Sequence, residues 1–600
     1  MDEPTQVELN EPYHTQSPVP DSKITLFLLG FCLLFSVHFN IENTGGTGLE
    51  MPYNAAVWSV ISLLFSSMLF RLAKTRQWID DSALKLLGLI MLALVIPIAF
   101  QEITETTQAG TRVLAILAGL LLTVLFFQSI QAHKSWQNVF YLLVAASLIE
   151  ALLCLVQQYF PSIAALGVYK EDYGRPFGSF QQPNVSASFI ATGIITSLYL
   201  ILKPHDENTT KAKISLLLSC ATLGSAALIL LGSRTGIFGT VLAIVLCLPL
   251  IYKYVTTQSE LSTPYKPRLF WGWLISASFG VLFAIISIQQ MESGGRNLEA
   301  FQSTANRTGI YLQALDMIKD KPLSGWGYGN FERNFLDYYA EKYHSGEYTH
   351  QIIANLDHPH NELLLWAVEG GVIPPLLLLA LTVILIFRAI RHLGIVYGLA
   401  ALSVLVPISF HANTEYPFYQ SIVHWLILSL LTAWLLWITS TSSIKCFKLD
   451  FFARCFAVVI PLITIPVMML CIQATYQVTK YHASKQQHIE YLSDVIHPSG
   501  IWKRFFFDVM TYRLSQGLSQ NKPDQIKAYI SWAEEFLKHT PRLAIYFNLA
   551  NAHWALKEYD QAIQILETAA YFYPTDKKLK TAIKQTKESS QAMSEVPLPH

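Results

Sequence analysis

The sequence predicts an all-α polytopic membrane protein, and three observations carry that prediction. Hydrophobic residues make up 52% of the 600-residue chain and charged residues only 14%, against roughly 25% charged in soluble domains. Apolar runs near the length that crosses ~30 Å of hydrocarbon recur from Ile24 onward. After Gln477 the composition turns soluble, with apolar residues at helical spacing. A mean hydropathy of +0.35 fits this picture. The formal net charge of zero argues against a nucleic-acid partner. The seven cysteines sit in or beside apolar runs without paired spacing, so neither a disulfide framework nor a Cys-type zinc site is indicated. The acidic start, Met1-Asp-Glu-Pro, is unlike the basic start of a signal peptide, so the first apolar run is expected to remain as an anchor.

The runs fall at 24–39, 55–72, 84–100, 112–130, 138–159, 186–202, 214–232, 236–252, 269–288, 372–388, 394–410, 422–439 and 455–475, about thirteen helices. They divide the chain into a tail at 1–22, nine spans within 23–289, a large loop at 290–361, and a re-entering helix with four spans within 362–476. A soluble helical region at 477–587 and a disordered tail at 588–600 follow. Lys and Arg concentrate in alternate short connections: Arg71, Lys74 and Arg76; Lys134; Lys203, Lys211 and Lys213; Lys253, Lys266 and Arg268; Arg388 and Arg391; Lys445, Lys448 and Arg454. These are cytoplasmic by the positive-inside rule, with Lys23 and the N-terminus. The other short loops hold only Arg112, Lys170, Arg175 and Arg234. An odd helix count sends the C-terminal region to the outside.

Five unusual segments then share the outer face. They are Tyr173-Gly-Arg-Pro-Phe-Gly-Ser-Phe-Gln-Gln-Pro-Asn184, the tight turn Leu231-Gly-Ser-Arg234-Thr-Gly236, and the loop 290–361 with Asn306-Arg307-Thr-Gly. The stretch Asp357-His358-Pro359-His360-Asn361-Glu362 and the segment His411-Ala-Asn-Thr-Glu415-Tyr416-Pro417-Phe-Tyr419 complete the set. Their convergence points to one extracytoplasmic site. In the soluble region, Asn548 to Ala569, closing at Pro574, resembles one tetratricopeptide unit, which must pack on flanking helices such as 524–538. Two readings stand: a platform for a protein or peptide, and a structural cap.

The residue types suggest acid–base and anion chemistry. His360 is the candidate base, since an imidazole with a reference pKa near ~6.5 accepts a hydroxyl proton at neutral pH. Asp357, Glu362 or Glu369 could orient it. A metal reading of His358, His360 and Glu362 is also open, although Pro359 stiffens the chain and the spacing is not that of a helical zinc site. Asn361 could cap the helix from Glu362. Arg234 sits where a Gly-Ser-Arg-Thr-Gly turn meets the bilayer, as a snorkelling anchor or a phosphate ligand. Arg307 and Arg175 offer further forked donors suited to a pyrophosphate, or are solvated loop arginines. Gln182, Pro183 and Asn184 open a helix whose N-terminal amides favour an anion, and Tyr416 alone would be an interfacial belt residue.

Taken together, Phe180-Gln-Gln-Pro-Asn184, Gly232-Ser-Arg234, Asn306-Arg307-Thr-Gly, Pro322-Leu-Ser-Gly-Trp-Gly-Tyr-Gly329, His358-Pro-His-Asn-Glu362 and Glu415-Tyr-Pro417 resemble the O-antigen ligase/polymerase superfamily. Within it the PglL-type bacterial protein O-oligosaccharyltransferases are the closer likeness, most strongly over 170–420. The resemblance implies a GT-C-like inner-membrane glycosyltransferase with its active site facing the periplasm. Such an enzyme moves a preassembled glycan from undecaprenyl pyrophosphate to Ser/Thr hydroxyls of a pilin-like or other periplasmic protein, with no metal or other cofactor. It implies a required His360, pyrophosphate contacts from Arg234 and Arg307, and roles for Gln182 and Tyr416, with His358 a less direct carry-over. A ligase acting on lipid A-core and an O-antigen polymerase are the nearest rivals. A transporter would instead place charges deep within its helices.

Overall fold

The computed structural model describes residues 21–43, 45–101, 106–165, 174–203, 210–256, 267–290, 305–351, 355–441 and 443–594. The expected tail up to Asp21, Lys170, Tyr173, Lys266, the start of the large loop at 291–304 and the end of the tail at 595–600 lie outside the described residues.

The chain is helical throughout, with one two-stranded ribbon among the described residues. Among the described residues, ten helices are long and apolar enough to cross a membrane, with two shorter apolar helices at Lys23–His38 and Ile422–Ile438. This is a multi-pass membrane protein. The first half contributes α1 (Lys23–Leu34), α2 (Pro52–Thr75), α3 (Ser82–Ala93), α4 (Thr106–Ser129), α5 (His133–Tyr159) and α6 (Pro183–Leu202). There follow α7 (Lys211–Leu230), α8 (Arg234–Thr256) and α9 (Pro267–Gln290). Helix α6 is buried along nearly its whole length, so it forms the axis of the bundle. Its sequence allows this because Ser186, Ser188, Thr192, Thr196 and Ser197 are small and satisfy their hydroxyls on neighbouring groups.

The large loop supplies α10 (Ala305–Asp320) and α11 (Phe331–His344), and α12 (Glu362–Gly370) leads back to the bundle. The next helix, α13 (Ile373–Ser403), reverses at Gly394, whose φ of 73° no ordinary side chain adopts readily. Gly398 then lies against the backbone of Ala389 and Ile390, where a Cβ would come within 2.9 Å. The two apolar runs expected at 372–388 and 394–410 are therefore the arms of a hairpin, completed by α14 (Val406–Ala412). Helix α15 (Ile422–Ile438) and the long α16 (Asp450–Ala483) close the membrane portion, α16 packing along α2.

Several of the basic connections meet on one face. Strand β1 (Gln77–Asp80) pairs antiparallel with β2 (Ser443–Cys446), Gln77 opposite Cys446. Beside the ribbon, Asp81 caps α3 through Ala83 N at 2.8 Å and accepts from Arg388 Nη2 at 2.6 Å and Ser440 Oγ at 2.7 Å. On the same side Arg71 approaches Asp21 at 3.8 Å. Beyond α16, five helices form a separate core: α17 (Trp502–Ser519), α18 (Pro523–His539), α19 (Leu543–Ala555), α20 (Tyr559–Phe572) and α21 (Lys577–Ser594). Leu336 and Ala340 of α11 are part of that core, so the large loop and the C-terminal helices are one body. Glu332 with Arg542 at 2.8 Å and Arg333 with the Leu537 carbonyl at 3.1 Å fasten the joint.

Candidate active site

The site is built where ends of α6, α8, α10, α12 and α14 meet, away from the ribbon. Each motif arrives by a local device. The loop before α6 is held from α5: Phe177 N and Gly178 N donate to Gln157 Oε1 at 2.9 and 2.8 Å, and Ser179 N donates to Glu150 Oε1 at 3.0 Å. Gln182 then caps α6, with Pro183 in its first turn, and presents Asn184. In the turn before α8, Ser233 Oγ accepts from Gly236 N at 3.2 Å, which starts the helix at Arg234. Arg175 donates to the Leu231 carbonyl of this turn at 3.1 Å. Thr414 Oγ1 donates to Thr235 Oγ1 at 3.2 Å, joining the turn to the segment after α14.

Glu415 is the hub. Its carboxylate accepts from Asn184 Nδ2 at 3.2 Å, pairs with Arg307 in the first turn of α10, and meets His360 Nδ1 at 2.7 Å. Burial raises the Glu415 carboxyl, but the hydrogen bond and charge of His360 and the charge of Arg307 outweigh it and hold the group below the ordinary carboxylate value. An ionised carboxylate only accepts, so His360 Nδ1 carries the proton of this hydrogen bond. The Tyr416 ring packs edge-on to His360, centroids 5.0 Å apart. Burial, with the charges of Asp357 and Glu415, pushes its hydroxyl up to about 12 and keeps it neutral.

His360 itself is left-handed, with φ 57°. Its amide donates to His358 Nδ1 at 2.9 Å and its carbonyl accepts from Tyr311 Oη at 3.2 Å. Asn361 caps α12 by accepting from Leu364 N at 3.0 Å, and donates to the Asn413 carbonyl at 2.8 Å. His358 is only 2% exposed, and its Nε2 faces Glu362 Oε1 at 3.7 Å. Burial holds His358 below the ordinary imidazole value, against the pull of Glu362 and Asp357.

Several expected roles shift. The carboxylate on His360 is Glu415 rather than Asp357, Glu362 or Glu369, because the left-handed turn swings the ring away from α12. Asp357 is exposed, and Glu362 stands one turn from His358. Glu369 is taken by Arg112, whose Nη2 also donates to Tyr419 Oη at 2.7 Å, and it accepts from Gly329 N at 3.2 Å. His358 and His360 point to different carboxylates, and among the described residues no three His, Cys, Asp or Glu side chains are placed to share an ion. Sequence reasoning missed the orienting part of Glu415, although Glu415 stood in a quoted motif. It also missed Glu150, a fully buried carboxylate that an apolar helix would carry only for a purpose.

A buried carboxylate joining an imidazole to an arginine, at one end of a membrane helical bundle, defines a class: integral-membrane proteins with a hydrogen-bonded imidazole–carboxylate–arginine network. Comparison with known proteins narrows it. The family model described as O-Antigen ligase matches residues 218–374, that for Protein glycosylation ligase matches 176–201, and that for Virulence factor membrane-bound polymerase, C-terminal, matches 399–588. A general O-oligosaccharyltransferase of Acinetobacter baylyi (strain ATCC 33305 / BD413 / ADP1) is 29% identical over 198 residues, 31% of this chain. The match spans 32% of that relative, about a third of its length. Over these segments the chain is similar to the O-antigen ligase family and to its PglL-type protein glycosylation ligases.

Proposed function

We propose that this protein transfers a preassembled glycan en bloc from undecaprenyl pyrophosphate to Ser or Thr hydroxyls of periplasmic proteins such as type IV pilin-like proteins. The observation that carries the reading is the His360–Glu415–Arg307 network in a chain similar to the PglL-type ligases. The acceptor hydroxyl attacks the anomeric carbon and His360 Nε2 takes its proton. Glu415 stabilises the imidazolium that forms, in the manner of a triad carboxylate. The bond from anomeric carbon to phosphate oxygen breaks with inversion, and the electron pair leaves on the lipid pyrophosphate. Arg307, Arg234 and Arg175 neutralise that leaving group. Gln182 and Asn184 shape the cleft at the start of α6, and Tyr416 packs the imidazole. The proton and the charge are both handled by side chains of this chain. Asp357, exposed beside the histidine stretch, lies where an acceptor would arrive, and His358 and Glu362 act behind His360.

The reversal at Gly394 brings the spans to thirteen when the shorter helices α1 and α15 are counted. This supports a cytoplasmic N-terminus and ribbon face in the inner membrane, with the site and the tetratricopeptide-like C-terminal body in the periplasm. Joined to the large loop, that body suits the reception of a protein acceptor. The matches to the O-antigen ligase and membrane-bound polymerase models favour a second reading, transfer to lipid A-core or to another repeat unit.

The test is to coexpress the protein with a lipid-linked glycan pathway and a pilin, and to measure the pilin's intact mass. The expected result is a discrete glycan increment that disappears in the His360→Ala variant. Glycan found only on lipopolysaccharide would overturn the reading.

A further inference from the structure

We propose that His358 is a positioning residue, whose Nδ1 lone pair holds the backbone amide of His360 and so fixes the turn that presents the His360 ring to Glu415. This rests on the proposed role of His360 as the base.

The argument starts from the backbone. Pro359 has no amide proton, and Asn361 must be extended, at φ −160°, to cap α12. The whole change of direction between them falls on His360, which adopts φ 57° without being a glycine. Such a residue persists only where its surroundings over-determine it. Here both of its backbone groups are taken by side chains. The amide goes to His358 Nδ1 at 2.9 Å and the carbonyl to Tyr311 Oη at 3.2 Å. The His358 ring has little freedom to leave, since it lies between Tyr416 and Tyr419 with centroids 5.2 and 5.0 Å away. With the amide proton delivered to Nδ1, His358 is neutral and protonated on Nε2, the nitrogen that faces Glu362 at 3.7 Å. A side chain only 2% exposed, with one nitrogen on the His360 amide and the other facing Glu362 of α12, is not placed to bind a substrate.

Three variants separate positioning from binding and from simple packing. His358→Asn puts an amide oxygen near the place of Nδ1. His358→Gln carries the amide further out, near Nε2, and His358→Phe keeps only the ring. Purified variants in lipid nanodiscs are assayed for transfer from a lipid-linked glycan to a pilin. Asn is expected to retain most of the activity. Gln and Phe are expected to lose about 100-fold in kcat, the scale of a small misplacement of a catalytic group, with donor KM within about twofold. An active Phe variant, equal losses in Asn and Gln, or a loss confined to donor KM would each overturn the proposal. If the wild-type protein modifies no protein acceptor, the proposed function fails, and the positioning claim is decided separately by experimental structures of the Asn and Gln variants. His360 should keep its left-handed φ with Asn and leave it with Gln; the same conformation in both overturns the claim.

Discussion

Glu415 accepts from Asn184, Arg307 and His360, so three distant parts of the chain depend on one carboxylate. Replacing it with Gln keeps the shape and removes the charge, which leaves an imidazolium uncompensated. The expected loss of transfer is roughly 100-fold or more, read from the intact mass of a coexpressed acceptor. A second outcome follows from the direction of its proton affinity. The folded-state value of Glu415 lies below the ordinary one, so its stabilisation is present above the usual carboxylate range and is lost as pH falls through the folded value. The melting temperature of the wild type should therefore fall more steeply in acid than that of Glu415→Gln, measured from neutral pH down through and below the ordinary carboxylate value of ~4.3. Arg307→Lys keeps the charge but not the fork, and transfer should drop strongly if Arg307 holds a pyrophosphate. At this scale much of the cluster was legible: His360, Arg307 and Asn184 stand in recognisable motifs. The partner of His360 was not. Carboxylates at 357, 362 and 369 were nearer in sequence, and a non-glycine residue gives no sign of the positive φ that turns the ring away from them.

At the scale of elements, sequence and structure agree where a residue acts on its own neighbours. Asn361 before Glu362 reads as a cap and is one, and Gln182, Pro183 and Asn184 read as the opening of a helix that does start there. The apolar runs on either side of Gly394 read as two spans, and the glycine folds them into a hairpin. Interactions between elements were illegible. Asp81 is both a helix cap and the partner of Arg388, and both side chains are buried. Removing one member of a buried pair strands the other, at a cost of about 3–5 kcal/mol. Arg388→Ala should therefore lower the thermal stability of the purified protein far more than the double variant Arg388→Ala/Asp81→Asn, which keeps an acceptor for α3 and removes the stranded charge. Equal melting temperatures for the two variants would contradict this.

For the whole molecule, the alternation of basic loops predicted which connections share a face, and the ribbon and the Arg388–Asp81 pair are found together on it. The union of α11 with the C-terminal helices was not foreseen, because Leu336 and Ala340 look like ordinary helix residues until a partner some 200 residues away covers them. Where that body meets the membrane portion, burial raises the Glu50 carboxyl to about 7, partly offset by Arg504 and Arg542, with Asp357 and Asp508 adding to the rise. A carboxyl raised on folding makes the folded state bind more protons, so stability falls as pH rises from the ordinary carboxylate value to about 7. Glu50→Gln should raise the melting temperature at pH 8 and change it little near pH 4, around the ordinary Glu value.

The ribbon also sets a timetable. Strand β1 leaves the ribosome early, and the strand that pairs with it follows about 370 residues later; at roughly 5–20 residues per second that is an interval of about 20–75 seconds. Through all of it α2 waits without α16, the helix that packs along its length. A nascent chain halted before Asp450 should therefore leave α2 open to proteases and to membrane chaperones, and completion of the last span should end that exposure in a single step.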